Sequence, residues 1–527
     1  RRFLQVCKDA DMPVVLRLGP FCHGEVRNGG IPDWVFTKGC KVRQEDPAFL
    51  EYTARLYRQI FSQVQGLQWK DGGPVIGAQF DNEYRGHGSY LMALKQIALE
   101  AGFDLPLYTR TGWPELKTPV PYGELIPLYG DYADGFWDRS IEEGVGNYYK
   151  AFNFRQFRNS SAIATEQLGE QTDSSSVAES LYPYFTCELG GGMTTAYHRR
   201  PYIYPEDAYA MAVVKLGSGS NLLGYYMYHG GTNPDGHLTT LNENQRTPAT
   251  NYNDMPVKNY DFQAPLGEFG QTYPHYYSLR KLHLFMKDWG ETLAPMLPSF
   301  PSAKDIAQGD DSVLRWSYRC LGDSGFVFVN NYERLRNLSD KKGVTFSVAD
   351  VTFPSRPMTV PGGASCIFPV NIDGISYATA QPVARREGKI YLMQIPGIPT
   401  EIKVDGKVLK NVKPLGLSRP VYRNIYLLDS ETAGKLFLES SPAIPVTESM
   451  AFCKVSEPGS ARVITKGVQK VAEAPSDSDF NDAARYVITL PEEREGKLLE
   501  IDYRGDVARI YADGHLVADN FYNGRPM

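Results

Sequence analysis

Two glutamates stand where apolar runs of this chain end, and a pair of carboxyl groups so placed can cleave a glycosidic bond. Asp81-Asn82-Glu83-Tyr84 follows the run Pro74-Val75-Ile76-Gly77-Ala78-Gln79-Phe80. Glu188 closes Tyr184-Phe185-Thr186-Cys187, ahead of Leu189 and the glycines Gly190, Gly191 and Gly192. In such chemistry one carboxyl protonates the leaving oxygen while the other attacks the carbon or activates water. The amide of Asn82 can donate to, and accept from, a sugar hydroxyl beside Glu83. Glu25, in Gly19-Pro20-Phe21-Cys22-His23-Gly24-Glu25, also lies just past a strand pattern and suits hydroxyl binding better than bond cleavage. The plainer alternatives are a solvated carboxylate at a loop start for Glu83 and, for Glu188, a carboxylate bonded to backbone amides of the glycine turn. The small residues after Glu188 are expected to leave room for a ligand.

Other chemistries find little support. A lone His23-x-Glu25 pair does not make a metal site, and His229 reads as structural or sugar-contacting. No Gly-x-Ser-x-Gly elbow is present, and Cys187 reads as a buried thiol. No GxGxxG or GxxxxGK[ST] follows a strand, which argues against a nucleotide. The seven cysteines are widely spaced and form no CxxC pair, so neither a zinc site nor a disulfide framework is expected. With a net charge of −6 and scattered Lys and Arg, there is no footprint for nucleic acid. No apolar stretch approaches the ~18 residues of a membrane span. The 34 Tyr and 6 Trp suit stacking on sugar rings or a β-rich core.

The elements that must carry these residues change character along the chain. Over residues 1–290, short apolar runs alternate with amphipathic stretches. Strand patterns cover Pro13 to Leu18, Pro74 to Phe80, Leu105 to Thr109, Tyr184 to Glu188 and Asn221 to Tyr228, with a weaker one at Leu128 to Tyr132. Helical spacing covers 47–65, with Phe49, Tyr52, Leu56, Ile60 and Val64 on one face, then 88–102 and 205–217. This alternation predicts α/β architecture with a parallel sheet, a (β/α)8 barrel ahead of a doubly wound sheet. About six strands are visible, so on the barrel reading the first two precede Arg1, and residues 1–290 form an N-terminally incomplete barrel. After 291 the helical period fades, and strand patterns such as Gly325 to Val329, Val344 to Val348 and Ile390 to Leu392 alternate with Gly, Pro, Asn and Asp. These predict antiparallel β-sandwich domains at 291–380, 381–460 and 461–527, the last C-terminally incomplete.

Several of these segments together resemble glycoside hydrolase family 35, the β-galactosidases. They are Gly19-Pro20-Phe21 with Glu25 and Gly29-Gly30-Ile31-Pro32-Asp33-Trp34; Gly73 to Gln79 with Asn82-Glu83-Tyr84; and Leu107-Tyr108-Thr109 followed by Gly112. Glu188, Met227-Tyr228-His229-Gly230-Gly231-Thr232-Asn233, and Tyr260-Asp261 with Ala264-Pro265-Leu266 complete the ordered set. The resemblance implies a (β/α)8 TIM-type barrel and a retaining exo-β-glycosidase acting on terminal β-galactosyl residues of oligo- or polysaccharides. It implies Glu83 as acid/base and Glu188 as nucleophile. Glu25, Asn82, His23 and Tyr260 would contact substrate, with no metal or organic cofactor. A periplasmic or secreted setting is expected. The chain departs from the family pattern at His23-Gly24, at Arg85-Gly86-His87, at Pro234-Asp235-Gly236 and at Phe262-Gln263, where a hydroxyl that could support the nucleophile is lost. These departures surround the sugar pocket. They keep two other readings open: a retaining glycosidase for another sugar, and a non-catalytic carbohydrate-binding protein.

Overall fold

The computed structural model describes residues 1–109, 116–139, 145–155, 158, 181–237, 239–246, 253–302, 306–439, 449–492 and 495–527; Gly112 lies outside them. The first half runs α1 (Arg2–Asp9), β1 (Val14–Gly19), α2 (Asp33–Phe36), α3 (Pro47–Val64), β2 (Val75–Phe80), α4 (Gly88–Ala101), β3 (Leu107–Thr109), β4 (Ile126–Pro127) and β5 (Tyr129–Asp131). It continues with β6 (Thr186–Leu189), α5 (Pro205–Gly217), β7 (Gly231–Thr232), β8 (Asn259–Tyr260) and α6 (Pro274–Leu293). α3 begins where expected because Asp46 caps it, accepting from the Ala48 and Phe49 amides at 3.1 and 3.2 Å, with Pro47 at its first position. Its buried face is rotated from the expected one. Leu56 is 40% exposed, while Tyr57 is wholly buried and donates its hydroxyl to Gly19 O at 2.7 Å. A tyrosine with a partner for its hydroxyl buries more area than leucine, and that sets the face.

β1 pairs with β2, β2 with β3, β3 with β4, and β5 with β6, all parallel. The stretch Asn221 to Tyr228 extends this ladder but is not a regular strand. It makes isolated parallel bridges, Phe185 to Leu222 and Leu189 to Tyr225. The cause is Thr186, whose hydroxyl enters the ladder: it reaches Leu222 O and Gly224 O at 3.1 and 3.2 Å and accepts from Gly224 N at 2.9 Å. A side-chain hydroxyl that takes backbone partners replaces regular pairing locally.

Among the described residues, the second half is antiparallel apart from one parallel pair. Its strands are β9 (Leu297–Ser299), β10 (Arg315–Leu321), β11 (Ser324–Asn330), β12 (Lys341–Val348), β13 (Val351–Val360), β14 (Ser365–Ile372), β15 (Ile375–Ala378) and β16 (Ala380–Arg386). There follow β17 (Lys389–Gln394), β18 (Ile402–Val404), β19 (Lys407–Leu409), β20 (Ile425–Leu428) and a short helix, α7 (Ser430–Lys435). One seven-stranded sheet has the order β19-β18-β15-β14-β11-β10-β9; a β16-β17-β20 sheet and the β12-β13 hairpin face it. β17 and β20 are the parallel pair. This sheet crosses the boundary expected near 380, since β15 pairs with β18, so residues on both sides of 380 belong to one packed unit.

β11 reads as an unbroken apolar run because both its faces are buried. Phe326 and Phe328 pack toward Leu282, Phe285 and Trp289 of α6, while Val327 and Val329 point into the core shared with Phe346, Phe353 and Leu428. The two-residue period of a strand places alternate side chains in two different cores. After residue 449, where a sandwich was expected, the described residues form two separate antiparallel pairs: β21 (Phe452–Ser456) with β22 (Arg485–Ile488), and β23 (Val507–Ala512) with β24 (His515–Phe521). β23 and β24 are joined at Asp513 and Gly514, with φ of 50 and 82, by an Asp-Gly hairpin turn. No helix among the described residues is long and apolar enough to cross a membrane.

The halves are joined by a buried cation. Arg319 on β10 is 1% exposed and donates to Leu216 O, Ser220 O and Leu293 O at 3.0 Å and to Met296 O at 2.9 Å. It also reaches Asn221 Oδ1 at 2.7 Å. These groups lie at or just beyond the C-termini of α5 and α6, whose dipoles present negative ends there. Burial lowers the Arg319 pKa to about 10, so it stays charged at neutral pH. Arg319→Met should strand these carbonyls and destabilise the chain by about 3–5 kcal/mol. A urea-denaturation midpoint within error of wild type would refute the clasp.

Candidate active site

Each carboxyl singled out in the sequence is delivered by a strand end. β1 leads through Gly19 and Pro20 into His23, Gly24 and Glu25, which have φ of 53, 68 and 50. β2 leads into Asp81 and Glu83, with φ of 47 and 46. Non-glycine residues in the left-handed region cost about 1–2 kcal/mol each, so something must hold them. Around Asp81 that is Arg43, which donates to Asp81 Oδ1 at 2.5 Å and to Asn82 O at 2.6 Å. The Tyr90 hydroxyl adds a bond to Asp81 Oδ2 at 3.0 Å, and the Asn82 amide one to Asp81 Oδ1 at 2.8 Å. Arg43 in turn lies over the Phe21 ring at 3.9 Å, so the two strand-end loops share one support.

These loops and β6 meet at a cleft lined by Arg17, His23, Gly24, Glu25, Asn82, Glu83, Tyr132, Phe136, Trp137, Glu188, Tyr226, Asn253 and Phe262. Glu83, Glu188, Glu25, Asn82 and His23 are thus brought together. Tyr260 is not in the wall; it stands behind Glu25 and donates its hydroxyl to Glu25 Oε2, bonded also to the Tyr226 hydroxyl at 2.7 Å. His229 is outside the wall, its Nδ1 against Gly230 O. The Cys187 thiol is half-buried, and desolvation followed by the charge of Glu188 pushes its pKa far up, so it is no nucleophile. Among the described residues, no group of three or more His, Cys, Asp or Glu could hold a metal ion.

Two contacts favour charge on Glu188. Arg17 Nη2 lies 3.5 Å from its Oε1, and the Tyr132 hydroxyl donates to its Oε2 at 3.1 Å. Arg17 is fixed by a bond to Cys22 O at 2.8 Å. Phe262 brings no hydroxyl to Glu188, while Tyr132 does. Against these contacts, burial first and then the charge of Glu83 push Glu188 up to about 8. Two carboxyls in one desolvated cleft cannot both ionise freely, so at neutral pH the Glu83–Glu188 pair shares a proton. Burial also pushes Glu25 up to about 7, with the Tyr260 hydrogen bond opposing it and Glu83 adding to it.

His23 lies 3.7 Å from Glu83 Oε2, but this is not an ion pair. Its Nδ1 is 3.1 Å from Asn82 Nδ2, which can only donate, so the proton sits on Nε2. Burial, then Arg43 and Arg17, lower its pKa to about 3 and keep the ring neutral. The Asn82 oxygen accepts from Gln79 Nε2 at 3.1 Å, which sets the orientation of its amide.

The glycines after Glu188 serve a purpose other than the expected one. A Cβ on Gly191 would lie 2.2 Å from Met227 O, and one on Gly192 2.3 Å from Phe262 O and Gln263 O. They are small because neighbouring backbone passes against them, not to admit a ligand. Sequence reasoning also missed Arg17, Tyr132, Phe136, Trp137, Tyr226 and Asn253. Arg17 left a signal, a cation inside the apolar run Val14-Val15-Leu16-Arg17-Leu18. The aromatic residues left none that separates cleft from core.

The family model Glycosyl hydrolases family 35 matches residues 1–286. "Beta-galactosidase 3" of Oryza sativa subsp. japonica is 25% identical over 410 residues, 77% of this chain and 40% of that protein. "Beta-galactosidase 17" of Arabidopsis thaliana is 26% identical over 310 residues, 56% of this chain and 39% of that protein. "Beta-galactosidase-1-like protein 3" of Mus musculus is 25% identical over 305 residues, 57% of this chain and 40% of that protein. The chain thus spans about two fifths of the length of these relatives. A solved structure titled "Glycoside hydrolase" aligns with TM-score 0.29 and 10% identity over 59% of this chain and 65% of that one, a similarity too low to build on.

The buried carboxyls make a stability prediction. A carboxyl raised from 4.5 to about 8 binds more protons folded than unfolded between those values, so folding stability falls as pH rises through that window. Glu188→Gln should flatten that decline by on the order of 2 kcal/mol between pH 5 and 8. Denaturation midpoints across the range measure it, and an unchanged slope counts against the raised carboxyl.

Proposed function

This chain belongs to glycosyl hydrolase family 35, and from that premise we propose that it is a glycoside hydrolase with a carbohydrate substrate, a retaining exo-β-glycosidase releasing terminal β-galactosyl residues from oligo- or polysaccharides. The observation that carries the reading is one cleft holding Glu83 and Glu188 on the ends of parallel strands, with Arg17 and Tyr132 on Glu188. We further propose that the parallel ladder belongs to a (β/α)8 barrel, where such groups sit at C-terminal strand ends. In the same reading, residues 1–290 are the catalytic domain, the β strands that follow form one framing unit to about 439, and the protein is periplasmic or secreted.

At rest, burial and the charge of Glu83 hold the Glu188 pKa up at about 8. The reactive form is the one in which the pair's proton has moved to Glu83, leaving at Glu188 the anion that Arg17 and Tyr132 favour. Glu188 attacks the anomeric carbon as the bond to the glycosidic oxygen breaks, and Glu83 gives that oxygen its proton. The product is an ester between Glu188 and the sugar, plus the free aglycone alcohol. Forming the ester removes the charge of Glu188, so the pKa of Glu83 falls and its carboxylate becomes the base that takes a proton from water. The water oxygen attacks the same carbon, releasing the sugar with its configuration retained and Glu188 as carboxylate. Glu25, Asn82 and the Nε2–H of His23 bind ring hydroxyls, while Phe136, Trp137 and Phe262 cover apolar sugar faces.

A second reading, a retaining glycosidase for another terminal sugar, is favoured by His23, Gly24 and Phe262 in the cleft wall, where the chain departs from the family pattern. An aryl-glycoside panel separates the two. On its best substrate, Glu188→Ala should lose at least about 10³-fold in kcat while remaining folded. The first-formed sugar, followed by NMR before mutarotation, should be the β anomer. An α first product, or turnover that survives Glu188→Ala, would reject double displacement.

A further inference from the structure

We infer that Asn253 is a specificity-determining residue, accepting a hydrogen bond from a hydroxyl of the sugar held beside Glu25; this deepens the glycosidase reading and rests on it. Asn253 lines the cleft yet is only 4% exposed. Its Nδ2 donates to Glu243 Oε1 at 2.8 Å, and its Oδ1 is buried with no protein partner. A carboxylate accepts only, so Glu243 fixes which way the amide points and commits the oxygen to a donor from elsewhere. A sugar hydroxyl is such a donor. An amide oxygen left buried without a partner is unfavourable, and a bound hydroxyl relieves this.

The rest of the neighbourhood holds Asn253 in place. Glu243 is 1% exposed, and its backbone amide donates to Glu25 O at 2.9 Å, tying it to the hydroxyl-binding loop. Asp254, the next residue, accepts from Gln245 N at 2.9 Å, from Gln245 Nε2 at 2.8 Å and from Ala474 N at 2.8 Å. Asp519 of β24 accepts from the amides of Val257, Lys258 and Asn259 at 2.5, 2.7 and 3.0 Å. The C-terminal segment therefore grips the loop on which Asn253 sits, although it lies outside the cleft wall. Glu243 is a positioning residue: it acts on the sugar only through Asn253.

The test is kinetic, on the full chain, with the preferred aryl β-glycoside and its monodeoxy analogues, each lacking one ring hydroxyl. Asn253→Ala should lower kcat/KM about tenfold on the parent glycoside and lose nothing further on one particular deoxy analogue, the one missing the partner hydroxyl. Glu243→Gln, nearly isosteric, frees the amide to flip; it should show a smaller loss, about threefold, with the same analogue dependence, and it carries the test if Asn253→Ala does not fold. Equal losses on every analogue would mean a merely structural role, and no loss on the parent would mean no contact. Either overturns the inference while wild-type turnover leaves the glycosidase reading standing. If the wild type turns over no glycoside, that reading falls. The same variants are then titrated by calorimetry with the free monosaccharides, where indifference of Asn253→Ala overturns the inference.

Discussion

Three carboxyl groups, Glu25, Glu83 and Glu188, occupy one largely desolvated cleft with a single guanidinium, Arg17, in its wall. Removing carboxylates from water is costly, and the cost grows when they face each other. Most features of the first half answer that constraint. The strand ends fix the carboxyl positions, Tyr132 and Arg17 favour the anion on Glu188, and the Tyr226–Tyr260 pair serves Glu25. His23 remains neutral, so the site does not acquire a second cation that would pin every carboxyl as an anion. A pair that keeps one proton at neutral pH is what acid/base work at such a cleft needs.

That arrangement is held by layers that do not touch it. α5 and α6 pack between the parallel ladder and the seven-stranded sheet, and Arg319 joins their C-termini to β10. A second buried guanidinium, Arg334, reaches Asp134 at 3.0 Å and Asp207 of α5 at 2.5 Å. Asp134 lies two residues beyond Tyr132, so the β-sheet half helps position a residue that bonds Glu188. Buried cations of this kind are poor sources of net stability but severe if unpaired, which makes the packing between the halves specific. The C-terminal hairpin holds the first half from the other side with a buried carboxylate instead, Asp519, which accepts from the amides of Val257, Lys258 and Asn259.

Local signals were legible where local chemistry decides. The helical spacing of 47–65 and of 88–102 located α3 and α4, and Glu83 and Glu188 stood at strand ends. Signals failed where a distant partner overrides the local preference. The Thr186 hydroxyl broke up the strand expected at Asn221 to Tyr228, and the Tyr57–Gly19 bond rotated the buried face of α3 away from Leu56. The boundary expected at 380 failed because strand pairing is not written in the spacing of turn residues: β15 and β18 pair across it.

By itself the sequence determined the carboxyl pair, the residues Asn82, Glu25 and His23 beside it, the α/β-then-β order and the family. The residues are written in type and neighbour spacing along short stretches of chain, and the family and the α/β-then-β order in the succession of such stretches. Only the tertiary structure decided that Tyr260 stands behind Glu25, that the glycines after Glu188 are filled by the Met227, Phe262 and Gln263 carbonyls, and that Arg17, Tyr132 and Asn253 complete the cleft. The reason is that each of these depends on groups far apart in the chain meeting out of water, where burial and the nearest charge set a side chain's role.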